Sequence, residues 1–165
     1  HLGLPQEQTR DIAHYFLREI QLAPNVRYAA YHGSWDKLPD FATMEPVRSG
    51  TCSGFDLRVA ERTDNFAVRF TTKLHLAEEG RYDFMLTSDD GSRLLIDDEE
   101  VTNADGVHPP TEVRGSRELA AGWHDLTVDF FEAGGGEELS VEIERRGLPR
   151  QSITSFVALS TEQPP

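Results

Sequence analysis

Apolar residues recur along this chain with two different periods. Near the start, Leu4-Pro5 leads into a polar first turn, Gln6-Glu7-Gln8. Ile12, Tyr15, Phe16 and Ile20 then follow helical spacing and form one apolar stripe. Pro24-Asn25 ends the stripe, so one short N-terminal helix is expected. Beyond it the period falls to two. Phe66, Val68, Phe70, Leu74 and Leu76 alternate with mostly polar neighbours; Gly80 turns the chain, and Tyr82, Phe84 and Leu86 follow on one face. Asp89-Asp90-Gly91 interrupts, and Leu94 and Ile96 resume. Asp97-Asp98-Glu99-Glu100 reads as a hairpin tip, because Ile96 and Val101 flank it as strand residues. A Gly/Pro-containing stretch, Asn103 to Pro110, precedes a short strand near Glu112 to Leu119. After the Ala121-Gly122 turn come Leu126, Val128 and Phe130, then Gly134-Gly135-Gly136, then Leu139, Val141 and Ile143. Short alternating strands with regular turn signals predict an all-β fold, an antiparallel β-sandwich or barrel with solvated outer faces.

Composition narrows the function. The chain has 165 residues, 16 Lys+Arg against 29 Asp+Glu, a net charge of −13 and one cysteine. That length suits one domain with a core of its own, which needs no disulfide. The acidic excess argues against nucleic acid, whose phosphates need clustered Lys/Arg, and against an anionic membrane surface. Hydrophobic content of 38% with 9% aromatic is too high for a disordered acidic tail. Cys52, in Ser49-Gly50-Thr51-Cys52-Ser53-Gly54, has neither a nearby cation nor a helix N-terminus to activate it, and reads as a half-buried loop residue. There is no initiator Met, signal peptide or apolar run near 20 residues. His1 suggests a piece of a longer chain.

The run Phe84-Met85-Leu86-Thr87-Ser88-Asp89-Asp90-Gly91-Ser92-Arg93-Leu94-Leu95-Ile96-Asp97 resembles the signature of the anthrax-protective-antigen-like domain family, the PA-fourteen domain. Other pieces fall in the family's order. Tyr31-His32-Gly33-Ser34-Trp35 with Leu38-Pro39-Asp40-Phe41 resembles its opening strand and loop. Asp64 to Phe70 resembles its first long strand, and Asn103 to His108 its post-hairpin segment. Leu119 to His124 and Phe130 to Gly136 resemble its last hairpin. The likeness runs from about residue 25 to residue 156. It implies a jelly-roll-like β-sandwich, an accessory module found beside glycoside hydrolases and in adhesins and toxins. In the adhesin branch two adjacent aspartates joined by a cis peptide hold one calcium, which takes vicinal hydroxyls of a sugar.

The resemblance also assigns residues. Asp89 and Asp90 match the aspartate pair, Glu132 stands where flocculin-type relatives carry Asn, and the carbonyls of Gly134 and Gly136 match the two carbonyl ligands. Calcium wants six to eight oxygens at about 2.3–2.6 Å, so this set leaves room for water or sugar hydroxyls. In a plain strand adjacent side chains point to opposite faces, so convergence requires a departure from it. Glu132 brings a third negative charge, which can tighten the metal or turn instead to backbone amides. The other reading of Asp89-Asp90-Gly91 is an acidic turn capping nearby amides. Asn103, Asp105 and His108 stand as rim residues that contact the ligand, or as ordinary loop residues. Trp35 and Trp123 stand as sugar-stacking platforms or, more simply, as core and edge packing. Arg93 is expected to pair with a carboxylate. No zinc-like His spacing, EF-hand loop or Gly-x-Ser-x-Gly motif occurs.

A further resemblance, of Leu4 to Gln8 and Asp11 to Leu17 to the last helix of a class I cytochrome c, suggests an upstream cytochrome domain, as in some large exported bacterial proteins. The chain has no Cys-x-x-Cys-His, so no haem is expected in it. The expected organisation is residues 1–24 as the helical segment, 25–157 as the sandwich and 158–165 as a linker stub. The expected function is a non-catalytic, calcium-assisted carbohydrate-binding module, monomeric, secreted, periplasmic or on the cell surface. Its partners would be a glycan or polysaccharide and the adjacent domains of its parent, without membrane insertion. The alternative is a structural or protein-interaction domain in a cytochrome-containing protein, without sugar binding.

Overall fold

The computed structural model describes residues 24–159. The expected helix, its cytochrome-like segment and the stub from residue 160 onward lie outside the described residues. The alternating runs all form strands, among the eleven that the described residues make: β1 (Val26–His32), β2 (Arg48–Cys52), β3 (Phe66–Leu76), β4 (Gly80–Asp89), β5 (Ser92–Ile96), β6 (Glu99–Ala104), β7 (Thr111–Leu119), β8 (Gly122–Glu132), β9 (Glu138–Arg145), β10 (Leu148–Ser152) and β11 (Val157–Ala158). They make two antiparallel sheets, one ordered β2-β1-β3-β8-β5-β6 with β11 added on β3, the other β10-β9-β4-β7. Of the two architectures that the period of two allows, a sandwich or a barrel, the fold is the antiparallel β-sandwich that the family resemblance implies.

The alternation sets the core. Phe66, Phe70 and Leu74 of β3, Phe84 and Leu86 of β4, and Phe130 of β8 point between the sheets and are fully buried. Each such side chain contributes roughly 1.5–3 kcal/mol by leaving water. A second, smaller apolar cluster lies on the outer face of the larger sheet. Tyr31, Phe41, Ala67 and Phe131 form it, with Trp35 and Leu38 packed over them. Asp105 Oδ1 accepts a hydrogen bond from Leu38 N at 2.7 Å and pins this covering loop.

Beyond that cluster the outer face is polar. Asp129, fully buried, accepts from Arg69 at 2.7 and 3.0 Å and from Arg93 at 2.6 and 3.2 Å. Arg93 therefore finds the carboxylate expected for it. Cys52 ends strand β2 rather than sitting in a loop, and its thiol donates to Gly54 O at 3.3 Å. Strand β2 itself carries no alternation, since its residues Arg48 to Thr51 are all exposed on an edge, and nothing in the pattern marked it.

The chain changes sheet six times, and three of these changes, β4→β5, β6→β7 and β8→β9, fall at one pole. Register places them there: Phe66 pairs with Glu132, Asp89 with Glu138, and Ser88 with Thr111. The Asp89-Asp90 run, the Asn103–Pro110 segment and the glycine loop are therefore neighbours because of topology.

Candidate functional site

Asp89, Asp90 and Glu132 come together at that pole. Each offers a carboxylate oxygen, and these lie within 4.8 Å of one another. The Asp89-Asp90 peptide is cis. The turn is fastened on every side. Ser88 and Ser92 share a buried hydroxyl–hydroxyl bond of 2.5 Å across it, and Phe131 N donates to Gly91 O at 2.9 Å. Gly91 is required here for space: a Cβ would lie 2.2 Å from Phe131 Cε1.

The three carboxylates differ. Asp90 is 2% exposed, and both its oxygens accept backbone hydrogen bonds, Oδ1 from His108 N at 3.1 Å and Oδ2 from Ala133 N at 2.9 Å. It ties the β6→β7 and β8→β9 crossings to its own. Asp89 is half-buried, and burial together with the neighbouring Asp90 charge raises its carboxyl above the ordinary range. Glu132 is 0% exposed, and neither of its oxygens has a hydrogen-bond partner among the described residues. Burial, then the charge of Asp90, pushes its carboxyl up to about 7; the Gly134 amide nearby acts the other way without closing a well-formed bond.

The glycine loop closes one side. A Cβ on Gly136 would lie 3.6 Å from Asp89 Oδ2, so this residue backs directly onto the cage. Gly134 lies farther out, toward Asp64, and Asp64 Oδ1 accepts from Gly135 N at 3.3 Å. Gly135 has φ +108°, which favours glycine. Asp64 is 71 positions from Gly135; no local pattern reveals such a partner, and sequence reasoning missed it.

The rim residues are occupied in other ways. Asn103 accepts from Asp105 N at 2.9 Å and donates to Glu100 at 3.0 Å, shaping its own hairpin. Asp105 holds the Leu38 loop. His108 is the one of the three that meets the cage directly, through its backbone amide. Its ring nitrogens face Pro109 O at 2.8 Å and Ala104 O at 2.7 Å. Burial works to lower the imidazole's proton affinity, but these two carbonyls and the charges of Asp90 and Asp89 outweigh it and raise the result. Trp35 packs in the outer cluster, whereas Trp123 is 43% exposed and tilted against His75 at the opposite pole, so it takes no part in this site.

The donor set is all oxygen, which suits a hard cation. The three carboxylate oxygens lie within 4.8 Å of one another, close enough for one ion bonded at about 2.3–2.6 Å to reach them all. A buried carboxylate without a partner, facing two more carboxylates, is costly unless neutralised. The residues present fit such an ion.

A sequence model of the PA14 domain matches residues 59–153, more than half of the chain. The chain belongs to the PA14 domain family. No curated protein sequence matches it. Among solved structures, this PA14 domain is similar to the PA14 domain of the MpAFP antifreeze protein, with a TM-score of 0.69 at 15% identity, over 85% of this chain and 93% of that one. It is similar to a PA14 sugar-binding domain from an RTX adhesin, with a TM-score of 0.65 at 17% identity, over 84% and 99%. It also resembles the epithelial adhesin 9 A domain from Candida glabrata, solved in complex with Galβ1-4GlcNAc, with a TM-score of 0.63 at 8% identity, over 85% and 91%. Identities this low establish a shared fold. Among the described residues, no helix is long and apolar enough to cross a membrane.

Proposed function

We propose that this PA14 domain is a non-catalytic carbohydrate-binding module of an exported multidomain protein, and that it holds one calcium at its ligand site. The observation that carries this reading is Glu132: fully buried, without a hydrogen-bond partner and facing Asp89 and Asp90. Asp89, Asp90 and Glu132 would supply carboxylate oxygens, with the carbonyls of Gly134 and Gly136 completing the protein's share. When bound, calcium would offer open positions to a pair of sugar hydroxyls. Asp90 orders the loops by its bonds to His108 N and Ala133 N, and Asp89, the most open of the three, faces the ligand side. The sugar-binding RTX adhesin domain and the Candida glabrata adhesin solved with a disaccharide share this fold, which supports a glycan as the ligand and an extracellular setting.

Asp89→Ala is the variant of choice, because Asp90→Ala also breaks two backbone hydrogen bonds. Calcium should raise the thermal midpoint of the wild-type chain by several degrees over chelator, as binding to the folded state alone requires, and should leave Asp89→Ala unmoved. Equal shifts in both proteins would eliminate the metal. A glycan array probed with calcium and with chelator then tests the ligand; silence under both conditions would leave a spacer or protein-docking role.

A further inference from the structure

The glycine loop has a second side. Behind it lies an open cleft of about 670 Å³, lined by Arg58, Glu61, Arg62, Asp64, Asn65 and Glu137 among others. This lies within the range of about 300–1,000 Å³ usual for small-molecule sites. Asp64, which lines the cleft, also holds the glycine loop that borders the carboxylate cage. On one side Asp64 Oδ1 takes Gly135 N; on the other Gly136 backs onto Asp89 Oδ2. The glycine loop therefore lies between Asp89 and the Asp64 side of the cleft.

The polar groups in the cleft are unequally engaged. Arg58 is closed on Asp56 by bonds of 2.9 and 2.8 Å, and Glu61 is ion-paired with Arg48. Asp64 is committed to the glycine loop. Arg62 makes one hydrogen bond, to Asn65 O at 3.3 Å, and no ion pair among the described residues. Glu137 has neither a hydrogen bond nor an ion pair among them. So one guanidinium, donor only, and one carboxylate, acceptor only, are left facing the same space. A hydroxyl both donates and accepts, so a chain of hydroxyl-bearing units can satisfy both. The two groups left, Arg62 and Glu137, carry opposite charges, so together they favour neither a strongly anionic nor a cationic ligand.

We propose that this cleft is the outer part of the ligand site, that it takes the second unit of a neutral oligosaccharide, and that Arg62 and Glu137 are its specificity-determining residues. The proposal rests on the carbohydrate-binding reading above, and it says that the recognised object is an oligosaccharide rather than a terminal monosaccharide.

The test uses immobilised neutral di- and trisaccharides beside the methyl glycosides of their terminal units, with calcium, on the wild-type chain and on Arg62→Ala, Glu137→Gln and the double variant. The wild type should bind at least one oligosaccharide about tenfold or more tighter than its terminal unit, the worth of one or two charge-assisted hydrogen bonds. In the double variant that ratio should fall toward one. The calcium-induced thermal shift reports whether each variant keeps its fold and cage. An oligosaccharide-to-monosaccharide ratio near one in the wild type, or a ratio that survives the double substitution, overturns this inference and leaves the carbohydrate reading standing. Binding of no saccharide at all overturns both.

Discussion

Glu132 is the residue on which the site turns. An ordinary glutamate ionises near 4.5, but this one, buried beside Asp90, is held up to about 7. The sign of its effect follows from linkage. Below about pH 4.5 both folded and unfolded chains carry the proton and the group is neutral to stability. Between about 4.5 and 7 the unfolded chain ionises first, so the folded state loses stability as pH rises. Above about 7 the loss is complete and constant. In chelator, Glu132→Gln should therefore stabilise the chain at about pH 8 by up to about 3 kcal/mol and have no effect at about pH 4. With calcium the order should reverse, because the variant lacks the charge the ion needs, and the wild-type calcium shift should grow from about pH 5 to about pH 8. Urea midpoints at the two pH values, with and without calcium, check this; a Gln-for-Glu difference that ignores pH would show that the carboxyl ionises normally. That Asp89, Asp90 and Glu132 come together was legible in the sequence, the aspartates through a motif and Glu132 through the family resemblance. Their inequality was not. It depends on which oxygens find amides, and His108 and Ala133 approach Asp90 only in the fold.

The strands were the most legible elements, because a half-buried strand writes its burial as alternation. β3, β4, β8 and β9 all lie where their apolar residues alternate. Strand β2 escaped because nothing on it is buried until its last residue. The Asp97-Asp98 tip was also readable, and its residues have φ of +51° and +64°, as a two-residue hairpin turn demands. What the sequence hid is that the tip is clamped: Asp97 accepts from Asp125 N at 2.9 Å and lies 2.7 Å from His124 Nδ1. Burial pushes its carboxyl up, but the His124 and Asp125 bonds and the His124 and Arg117 charges outweigh it and lower the result. A lowered carboxyl contributes stability above its unfolded value, and that contribution fades as pH falls through the folded one. Asp97→Asn, which keeps the turn's preference for positive φ, should cost up to about 1 kcal/mol at about pH 6, a modest figure because the pair is partly exposed. It should cost nothing at about pH 2. Denaturant midpoints at both pH values decide it, and a loss that persists in acid would assign the effect to the turn instead of the charge.

At the scale of the molecule, the net charge of −13 pointed nowhere in particular. Among the described residues, many acidic groups are spent on ion pairs, such as Arg150 with Glu112 and Glu142 across the outer face of the smaller sheet, or lie exposed to solvent. The site is located by topology, at the pole where three sheet crossings meet, and the aspartate turn there has an apolar footing of its own. Phe131, in the smaller cluster, touches Gly91 and donates its amide to Gly91 O, while Glu132 continues the inward face of β8 beyond Phe130, at the end of the main core. Stability and ion binding should therefore respond differently to equal truncations. Phe84→Ala in the main core should cost about 3–5 kcal/mol but leave the calcium-induced rise in thermal midpoint intact. Phe131→Ala should cost a similar amount and also shrink that rise, because the turn carrying Asp89 and Asp90 loses the ring it packs on. Paired thermal melts in calcium and in chelator for the two variants make the comparison. If both retain the full calcium increment, the outer cluster does not support the cage, and the two aspartates are held by their hydrogen bonds alone.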